Sequence, residues 1–219
     1  MSDAAPPDHP GPPKRRRDAS ATRQAILSAA VAAFTRYGYD GVGVRDIAQR
    51  AGVTAMLINR YFGSKEQLFA EAVDSAFAPR TVIAGTGAAL AGETARTLVA
   101  RTAPEAEELG PFLLMLRSAA NPRAAQIMRE AITRHAGRHL NEELSGAGAG
   151  IRAELMLSIQ AGVWLFRSVL GTPALTEGLP EHLAQHIEAL FQVLVTPRCR
   201  CCATIAPCCA AREVGRRRR

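Results

Sequence analysis

The residues best suited to bind a partner lie close together in the first third of the chain. Asn59, Arg60 and Tyr61 follow one another, and Lys65 comes four residues later. Side-chain amides and guanidinium groups pair with the edges of bases, while ammonium groups bind phosphates. Side chains of these types suit contacts with bases and phosphates better than catalysis, and what they do depends on the element that carries them.

A helix-turn-helix is the arrangement that must position these side chains. The segment 43–62 reads GVRDIAQRAGVTAMLINRYF, which predicts short helices over 44–50 and 55–61. Gly52 lies in the turn between them, where glycine adopts a left-handed backbone at little cost. The residues predicted to face inward are Ile47, Ala48, Val53 and Ile58. The other side, over 54–61, is then free to enter a major groove about 12 Å wide.

Two runs in this region resemble the N-terminal domain of the TetR (tetracycline repressor) family of transcription regulators. They are GVGVRDIAQRAGV, which begins at Gly41, and RYFGSKEQLF, which begins at Arg60. The resemblance covers residues 20 to about 78. It implies that Arg45 contacts a backbone phosphate. It also implies that Lys65 binds a phosphate with help from the positive end of its helix.

The resemblance further implies which residues of the second short helix meet DNA, and it shows where this chain departs from the family. The implied recognition residues are Thr54, Ala55, Met56, Asn59, Arg60 and Tyr61. Gly43 stands where the family often has Thr or Ser, so a capping hydroxyl that can touch phosphate is lost. Met56 and Asn59 replace residues that are often small and aromatic in the family. Because asparagine pairs with adenine and methionine can touch thymine methyl groups, these changes predict altered sequence reading.

The rest of the chain predicts an all-α protein with two domains. The expected parts are a disordered basic arm over 1–18, the helix-turn-helix domain over 19–78, a helical ligand-binding and dimerisation domain over 79–196, and a disordered Cys- and Arg-rich tail over 197–219. A first helix begins near Ser20 and ends before Gly38, which fits a left-handed cap. A helix from Ser64 to about Ala78 opens with a capping box of Ser64 and Gln67.

The last two predicted helices, Arg152–Leu170 and Pro180–Val195, are candidates for a dimer interface because they are the most apolar. The helix over 152–170 is apolar on nearly every side, which predicts burial from several directions. Members of the family that the chain resembles pair these helices as a four-helix bundle, which implies a homodimer. Such a dimer places two recognition helices on half-sites about 34 Å apart, on a roughly palindromic operator in double-stranded DNA.

A small-molecule effector is expected by analogy with the family. A ligand in the second domain would shift the helix 64–78 and release a repressor from DNA. The candidate pocket residues are Phe112, Met115, Met128 and Trp164, each of which also fits ordinary core packing. Arg117 and Arg167 could pair with an acidic ligand or form salt bridges. No Ser/His/Asp arrangement, phosphate loop or carboxylate pair indicates an enzyme, and no cofactor is expected.

The net charge of +7 does not by itself indicate DNA binding. The runs 14–17 and 216–219 carry eight positive charges, so the body of the chain is close to neutral. The basic run over 14–17 either follows the minor groove beside the recognition site or acts as a non-specific tether, and both readings remain open. The nucleic-acid interpretation therefore depends on the helix-turn-helix.

Two further clusters could bind metal. His135 and His139 lie four residues apart on one predicted helix, although the neighbouring arginines favour a solvated face. All five cysteines lie between Cys199 and Cys209. They support an alternative function, a metal- or redox-sensing regulator, or else belong to a tail without a role.

No secretory signal is expected, because no apolar run precedes the basic cluster near the N-terminus. No stretch reaches the roughly 18 uninterrupted apolar residues that a membrane span needs. We therefore expect a soluble, cytoplasmic protein with no membrane partner.

Overall fold

The structure is a computed structural model that describes residues 14–77, 83–103, 106 and 109–196, with side chains from residue 19 onward. Within these ranges all regular structure is helical and no strand is found, which confirms the expected all-α class. The predictions for the arm before residue 14 and for the Cys- and Arg-rich tail from residue 197 lie outside the described residues.

The helices follow one another with short connections. In chain order they are α1 (Lys14–Tyr37), α2 (Val44–Arg50), α3 (Ala55–Phe62), α4 (Lys65–Phe77), α5 (Leu90–Arg101), α6 (Gly110–Ser118), α7 (Pro122–Ile132), α8 (Arg138–Glu143), α9 (Ala149–Val163), α10 (Pro173–Thr176) and α11 (Pro180–Val195). A 3₁₀ turn at Gly87–Ala89 precedes α5, and π-helical turns at Thr133–Gly137 and Trp164–Val169 continue α7 and α9. In the described part of the chain, no helix combines the length and apolarity that crossing a bilayer requires.

Helix α1 begins at Lys14, which is earlier than the start near Ser20 that the apolar spacing predicts. The structure therefore differs from the prediction of a disordered arm through residue 18, since the backbone of 14–18 is helical. The physical reason is propensity: lysine, arginine and alanine lose little rotamer freedom in a helix and extend it without apolar contacts. The start directly follows Pro13, which suits a helix N-terminus but not a helix interior.

The first compact unit contains the described residues up to Ala76 together with Leu113–Met128. Its helices form a core because each turns one apolar face inward. The large side chains with no exposed surface in this core are Ile26, Phe34, Ile47, Ile58, Leu68, Phe69 and Leu114. The inward side predicted for the helix-turn-helix is buried at Ile47, Ala48 and Ile58, whereas Val53 is only half-buried.

Two glycines of the first unit have the left-handed backbone that the sequence predicts. Gly38 (φ +73°) donates its N–H to the carbonyl of Phe34 at 2.9 Å and ends α1. Gly52 (φ +67°) lies in the turn between α2 and α3. The two positions differ in their surroundings. A Cβ at Gly38 would lie 2.3 Å from the backbone oxygen of Arg117, while a Cβ at Gly52 would meet no heavy atom within 4 Å.

The second compact unit contains residues 77–112 and those from Arg129 onward. Helix α11 packs along α5 and also against α9. Gly92 on α5 is buried, and a Cβ there would lie 2.9 Å from the carboxylate of Glu188 on α11, so glycine permits the close approach. Arg152 on α9 donates to the carbonyl of Leu194 at 2.7 Å, which satisfies a free carbonyl in the last turn of α11.

Helix α9 and the π-helical turn that follows it bury only one stripe within the single chain. The buried members of this stripe are Ala153, Met156, Gln160, Trp164 and Arg167. The prediction that this helix is buried from several directions is therefore wrong for one protomer. Its other side exposes the large apolar side chains Ile151, Leu155, Phe166, Val169 and Leu170.

We expect Gly38→Ala to lower the free energy of unfolding by about 2–5 kcal/mol. About 1–2 kcal/mol comes from a left-handed alanine, and a further 1–3 kcal/mol from the backbone shift that relieves the contact with Arg117. Urea unfolding followed by circular dichroism measures the change.

Gly52→Ala is the matched control, because it imposes the same backbone strain without the close contact. It should cost only about 1–2 kcal/mol. Equal losses in the two variants would show that the approach of Arg117 to Gly38 does not constrain the fold.

Candidate nucleic-acid interface

The outer side of α3 is open to solvent. Met56 is 79% exposed, and Asn59 and Arg60 are exposed beside it on this short helix. On the inner side Ile58 and Phe62 are buried and hold α3 against the core. This opening is what a recognition helix requires.

The two ends of α3 differ in exposure. Thr54 is exposed at the N-cap position with an extended backbone, but its hydroxyl makes no capping hydrogen bond. Thr54 therefore occupies the N-cap position without making the side-chain bond. Ala55 and Tyr61 are half-buried. Because the first N–H groups of a helix lack intrahelical partners, this end of α3 has donors for a phosphate oxygen.

The N-terminus of α2 carries its own acidic cap. The N–H of Gly43 donates to the carboxylate of Asp46 at 2.8 Å, so this amide is already occupied. Arg45, also in the first turn, is exposed. The sequence analysis overlooked Asp46, although an acidic residue three positions after an N-cap is a recognised local signal. Arg45 is therefore the group at this helix end that is available to a phosphate.

Lys65 is the first residue of α4, and an aromatic ring holds its side chain in place. The Lys65 ammonium nitrogen lies 4.4 Å from the centre of the Tyr39 ring, a distance at which a cation is attracted to the ring face. Ser64 accepts the N–H of Gln67 at 3.2 Å, which confirms one of the two bonds of the predicted capping box. The held ammonium group and the positive end of α4 can thus act on the same anion.

Tyr39 belongs to an aromatic cluster in the core of the first unit. Its ring lies 4.9 Å from that of Phe69 at 69°, and Phe69 lies 4.9 Å from Phe34 at 88°. Burial raises the pKa of Tyr39 above its usual value of 10.0, and the nearby carboxylates of Glu66 and Asp40 raise the pKa further. Tyr39 therefore stays neutral at physiological pH and presents an uncharged ring to Lys65.

Arg23 links α1 to the inner side of the helix-turn-helix. Its guanidinium carbon lies 4.7 Å from the centre of the Phe62 ring, and the same group forms an ion pair with Glu71 of α4. The sequence analysis did not single out Arg23. Its contacts help to hold the C-terminal end of α3 against α1 and α4.

Residues 117–123, which we call the docking segment, fold back onto the α1–α2 connection. Arg117 donates to the carbonyl of Thr35 at 2.6 Å, and its backbone oxygen approaches Gly38. The N–H of Tyr39 donates to the hydroxyl of Ser118 at 3.0 Å in a buried position. The backbone that carries the aromatic cluster is therefore bonded to a distant part of the chain.

The docking segment makes two further contacts with the same unit. Asn121 donates from its amide nitrogen to both carboxylate oxygens of Asp40, at 2.9 and 3.1 Å. Its amide oxygen accepts the N–H groups of Arg123 and Ala124, each at 3.0 Å, and so caps α7. Arg123 pairs with Glu66 of α4 at 2.9 Å. Asn121 thus caps the start of α7 and also bonds to the α1–α2 connection.

An open groove of about 490 Å³ borders α2, and its lining residues are Tyr37, Gly41, Val42, Asp46, Gln49 and Arg50. Arg50 donates to the Tyr37 hydroxyl at 3.1 Å. Because Asp46 brings a carboxylate into this groove, a backbone phosphate is disfavoured there. We therefore do not count the groove as part of the candidate interface.

Two of the four candidate effector residues come together in the second unit. The rings of Phe112 and Trp164 lie 5.9 Å apart with their planes at 21°, and both side chains are buried. Met115 and Met128 are counted with the first unit; Met128 is buried and Met115 half-buried.

Two clusters of potential metal ligands were predicted, and only the histidine pair lies among the described residues. No group of three or more His, Cys, Asp or Glu side chains among the described residues is arranged to hold a metal ion. His135 lies in the π-helical turn before α8, and His139 lies in α8 itself. The cysteine cluster at 199–209 lies outside the described residues.

A helix-turn-helix head followed by a helical second domain defines a class of DNA-binding regulators. The family model for bacterial regulatory proteins of the tetR family matches residues 26–72. A second model, for the tetracyclin repressor-like C-terminal domain, matches residues 88–195. Together the matches cover well over half of the chain. The chain belongs to the TetR family of helix-turn-helix transcriptional regulators, and neither this family nor the relatives below are enzymes.

Individual relatives match over part of the chain. The chain is 45% identical over 56 residues to the transcriptional regulator RutR of Escherichia coli (strain K12), which is 26% of each chain. It is 40% identical over 101 residues to the regulatory protein RaaS of Mycobacterium tuberculosis, which is 46% of each chain. The matched stretch thus spans less than half the length of either relative.

Solved structures share the fold at low identity. The TetR-family regulator SCO0857 from Streptomyces coelicolor is 22% identical, with a TM-score of 0.51, and the match covers 87% of this chain and 100% of that one. The multidrug binding protein EbrR complexed with ethidium is 20% identical, with a TM-score of 0.58 and coverage of 81% and 99%. These similarities concern the fold.

We expect the free energy of unfolding to fall as the pH rises above about 10, and Tyr39→Phe to reduce this fall. Since the pKa of Tyr39 is raised in the folded state, the unfolded chain loses the proton first. The stabilising contribution is therefore present below the usual tyrosine pKa and is lost as the pH rises through the folded value. Urea unfolding at several alkaline pH values measures it, and identical pH slopes in both proteins would contradict this account.

Proposed function

We propose that this protein is a cytoplasmic transcriptional repressor that binds a palindromic operator as a homodimer and is released by a small molecule. The observation that carries the proposal is the open outer side of α3 at Met56, Asn59 and Arg60. A surface of this kind, anchored from within by Ile58 and Phe62, suits insertion into a major groove.

The contacts with DNA divide into base reading and phosphate binding. Asn59 and Met56 are placed to read bases, since an amide can pair with adenine and a thioether chain can pack on thymine methyl groups. Arg45 and Lys65 contact phosphates on either side of the recognition helix. The contact between the Tyr39 ring and the Lys65 ammonium group supports the phosphate-binding role of Lys65. A side chain that is already restrained loses less conformational entropy on binding.

The homodimer is supported by the apolar side chains that the second unit leaves exposed. On α9 and its π-helical turn, Ile151 is 69% exposed and Phe166 is 49% exposed; on α11, Leu190 is 55% exposed. Large apolar groups gathered on two helices favour association with a second copy, because burial removes their surface from water. A two-fold axis through these helices would pair two heads with two half-sites.

The small-molecule effector is supported by the second domain. The matched C-terminal family model covers it, and the structural relative EbrR is described in complex with ethidium. In this chain the Phe112–Trp164 pair offers an aromatic surface inside the same domain. A ligand that binds better to the DNA-free state would lower operator occupancy, and a coupling of about 1–3 kcal/mol suffices.

We expect Asn59→Ala to weaken binding to the operator by about 1–3 kcal/mol, the value of a bidentate base contact. Duplexes selected by the protein from a random pool supply the operator, and their sequences should be roughly palindromic. Fluorescence anisotropy at fixed salt measures binding to the selected duplex and to a scrambled one.

Asn141→Ala is the matched control, since Asn141 is an exposed asparagine on α8 of the second unit. It should leave both affinities unchanged. An equal loss on selected and scrambled DNA for Asn59→Ala would contradict base reading. Failure of the wild-type protein to enrich any duplex would remove the proposed function.

We expect Phe166→Glu to convert the dimer into a monomer and to weaken operator binding. A carboxylate placed in an apolar interface must be desolvated, which opposes association. Analytical ultracentrifugation at micromolar concentration measures the change.

The control Leu116→Glu alters a side chain of similar exposure, 41% against 49%, on α6 in the first unit. It should leave the sedimentation coefficient unchanged. A dimer that survives Phe166→Glu, or a wild-type monomer, would contradict the proposed interface.

A further inference from the structure

Gln160 is a buried polar side chain without a hydrogen-bond partner. It lies on α9, is 5% exposed, and its amide nitrogen has no partner among the described residues. Buried amides are normally paired, because an unpaired donor loses its bonds to water and gains nothing in return. An unpaired amide donor in such a position suits a partner that binds from outside the chain.

Gln160 lies one helical turn from the aromatic pair of the second unit. Met156, Gln160 and Trp164 follow at four-residue spacing along the buried stripe of α9. The backbone N–H of Trp164 donates to the carbonyl of Gln160, so the two side chains share one face. The Trp164 ring lies 5.9 Å from that of Phe112 at an angle of 21°. The Gln160 amide donor therefore lies next to the flat apolar surface of the Phe112–Trp164 pair.

The buried charge of this region is positive. Arg167 is 5% exposed and donates to the hydroxyl of Thr102 at 2.7 Å. No carboxylate is among the buried residues in the part of the chain that the structure describes. This guanidinium group repels a cationic ligand, whereas an uncharged ligand avoids this repulsion.

We propose that Gln160 is the specificity residue of the effector site and that the effector is an uncharged, planar aromatic molecule with a carbonyl acceptor. The Gln160 amide donates to the acceptor, and the flat ring packs against Trp164 and Phe112. This inference rests on the ligand-responsive function proposed above. It separates this protein from EbrR, whose described complexes hold the aromatic cations ethidium and proflavin.

The test compares two probes of similar size. Coumarin is an uncharged bicycle with a carbonyl acceptor, and naphthalene is a bicycle without one. We expect the wild-type protein to bind coumarin about tenfold more tightly than naphthalene in equilibrium dialysis, and Gln160→Leu to remove this preference. Trp164 is the only tryptophan of the chain, so coumarin should also change the tryptophan emission.

Thermal unfolding without ligand gives a second readout. Gln160→Leu should raise Tm by about 2–4 °C, because it replaces an unpaired buried amide by an apolar side chain of similar length. The matched control is Gln192→Leu on α11, where the exposed glutamine donates to the Thr196 hydroxyl at 3.1 Å. This control should leave both the probe preference and Tm unchanged.

Three outcomes would overturn the inference: no binding of coumarin up to its solubility limit, the same coumarin preference in Gln160→Leu, or tighter binding of proflavin than of coumarin. Operator binding by the ligand-free wild-type protein is measured separately. Loss of the inference therefore leaves the proposed DNA-binding function standing, and absence of operator binding would not alter the probe result.

Discussion

The ring of Tyr39 joins the aromatic core of the first unit to the side chain of Lys65. One part of the ring packs edge-on against Phe69, and the ammonium group of Lys65 lies 4.4 Å from its centre. Packing of buried aromatic groups thereby sets the position of a charged group at the surface. Because the helix-turn-helix packs on the same core, Lys65 and α3 keep fixed positions relative to each other. The proposed contacts with bases and phosphates require such fixed positions.

This aromatic cluster is held in place by residues far along the chain. Arg117 bonds to Thr35 across 82 positions, and Ser118 bonds to the backbone of Tyr39 across 79. Gly38 makes room for this approach, since any side chain there would meet the backbone of Arg117. The first unit is therefore completed by the docking segment, although the recognition motif itself is continuous in sequence.

The second unit departs from good local packing at two kinds of position. It exposes large apolar side chains such as Phe166 and Leu190, and it buries the unpaired amide of Gln160. Both departures cost stability in a single unliganded chain. Such local conflicts are expected at functional positions, and the two kinds point to different partners. Exposed apolar groups suit a second protomer, while a lone buried donor suits a small acceptor.

The sequence by itself determined the helical class, the bounds of α2, and the left-handed backbone at Gly38 and Gly52. These features depend on neighbours within a few residues, through periodicity, capping and the conformational freedom of glycine. The outward placement of Asn59 and Arg60 follows from the same periodicity. The cap that Asp46 provides was also local and was overlooked.

Only the tertiary structure decided which side chains from distant segments meet. The contact of Tyr39 with Lys65, the bonds of Asn121 to Asp40, and the unpaired amide nitrogen of Gln160 arise when helices pack against each other. A helical pattern marked Phe112, Met115, Met128 and Trp164 as apolar, yet it could not tell that the rings of Phe112 and Trp164 stack. Pairing of this kind depends on the relative placement of helices, which is set by the whole core and not by local propensity.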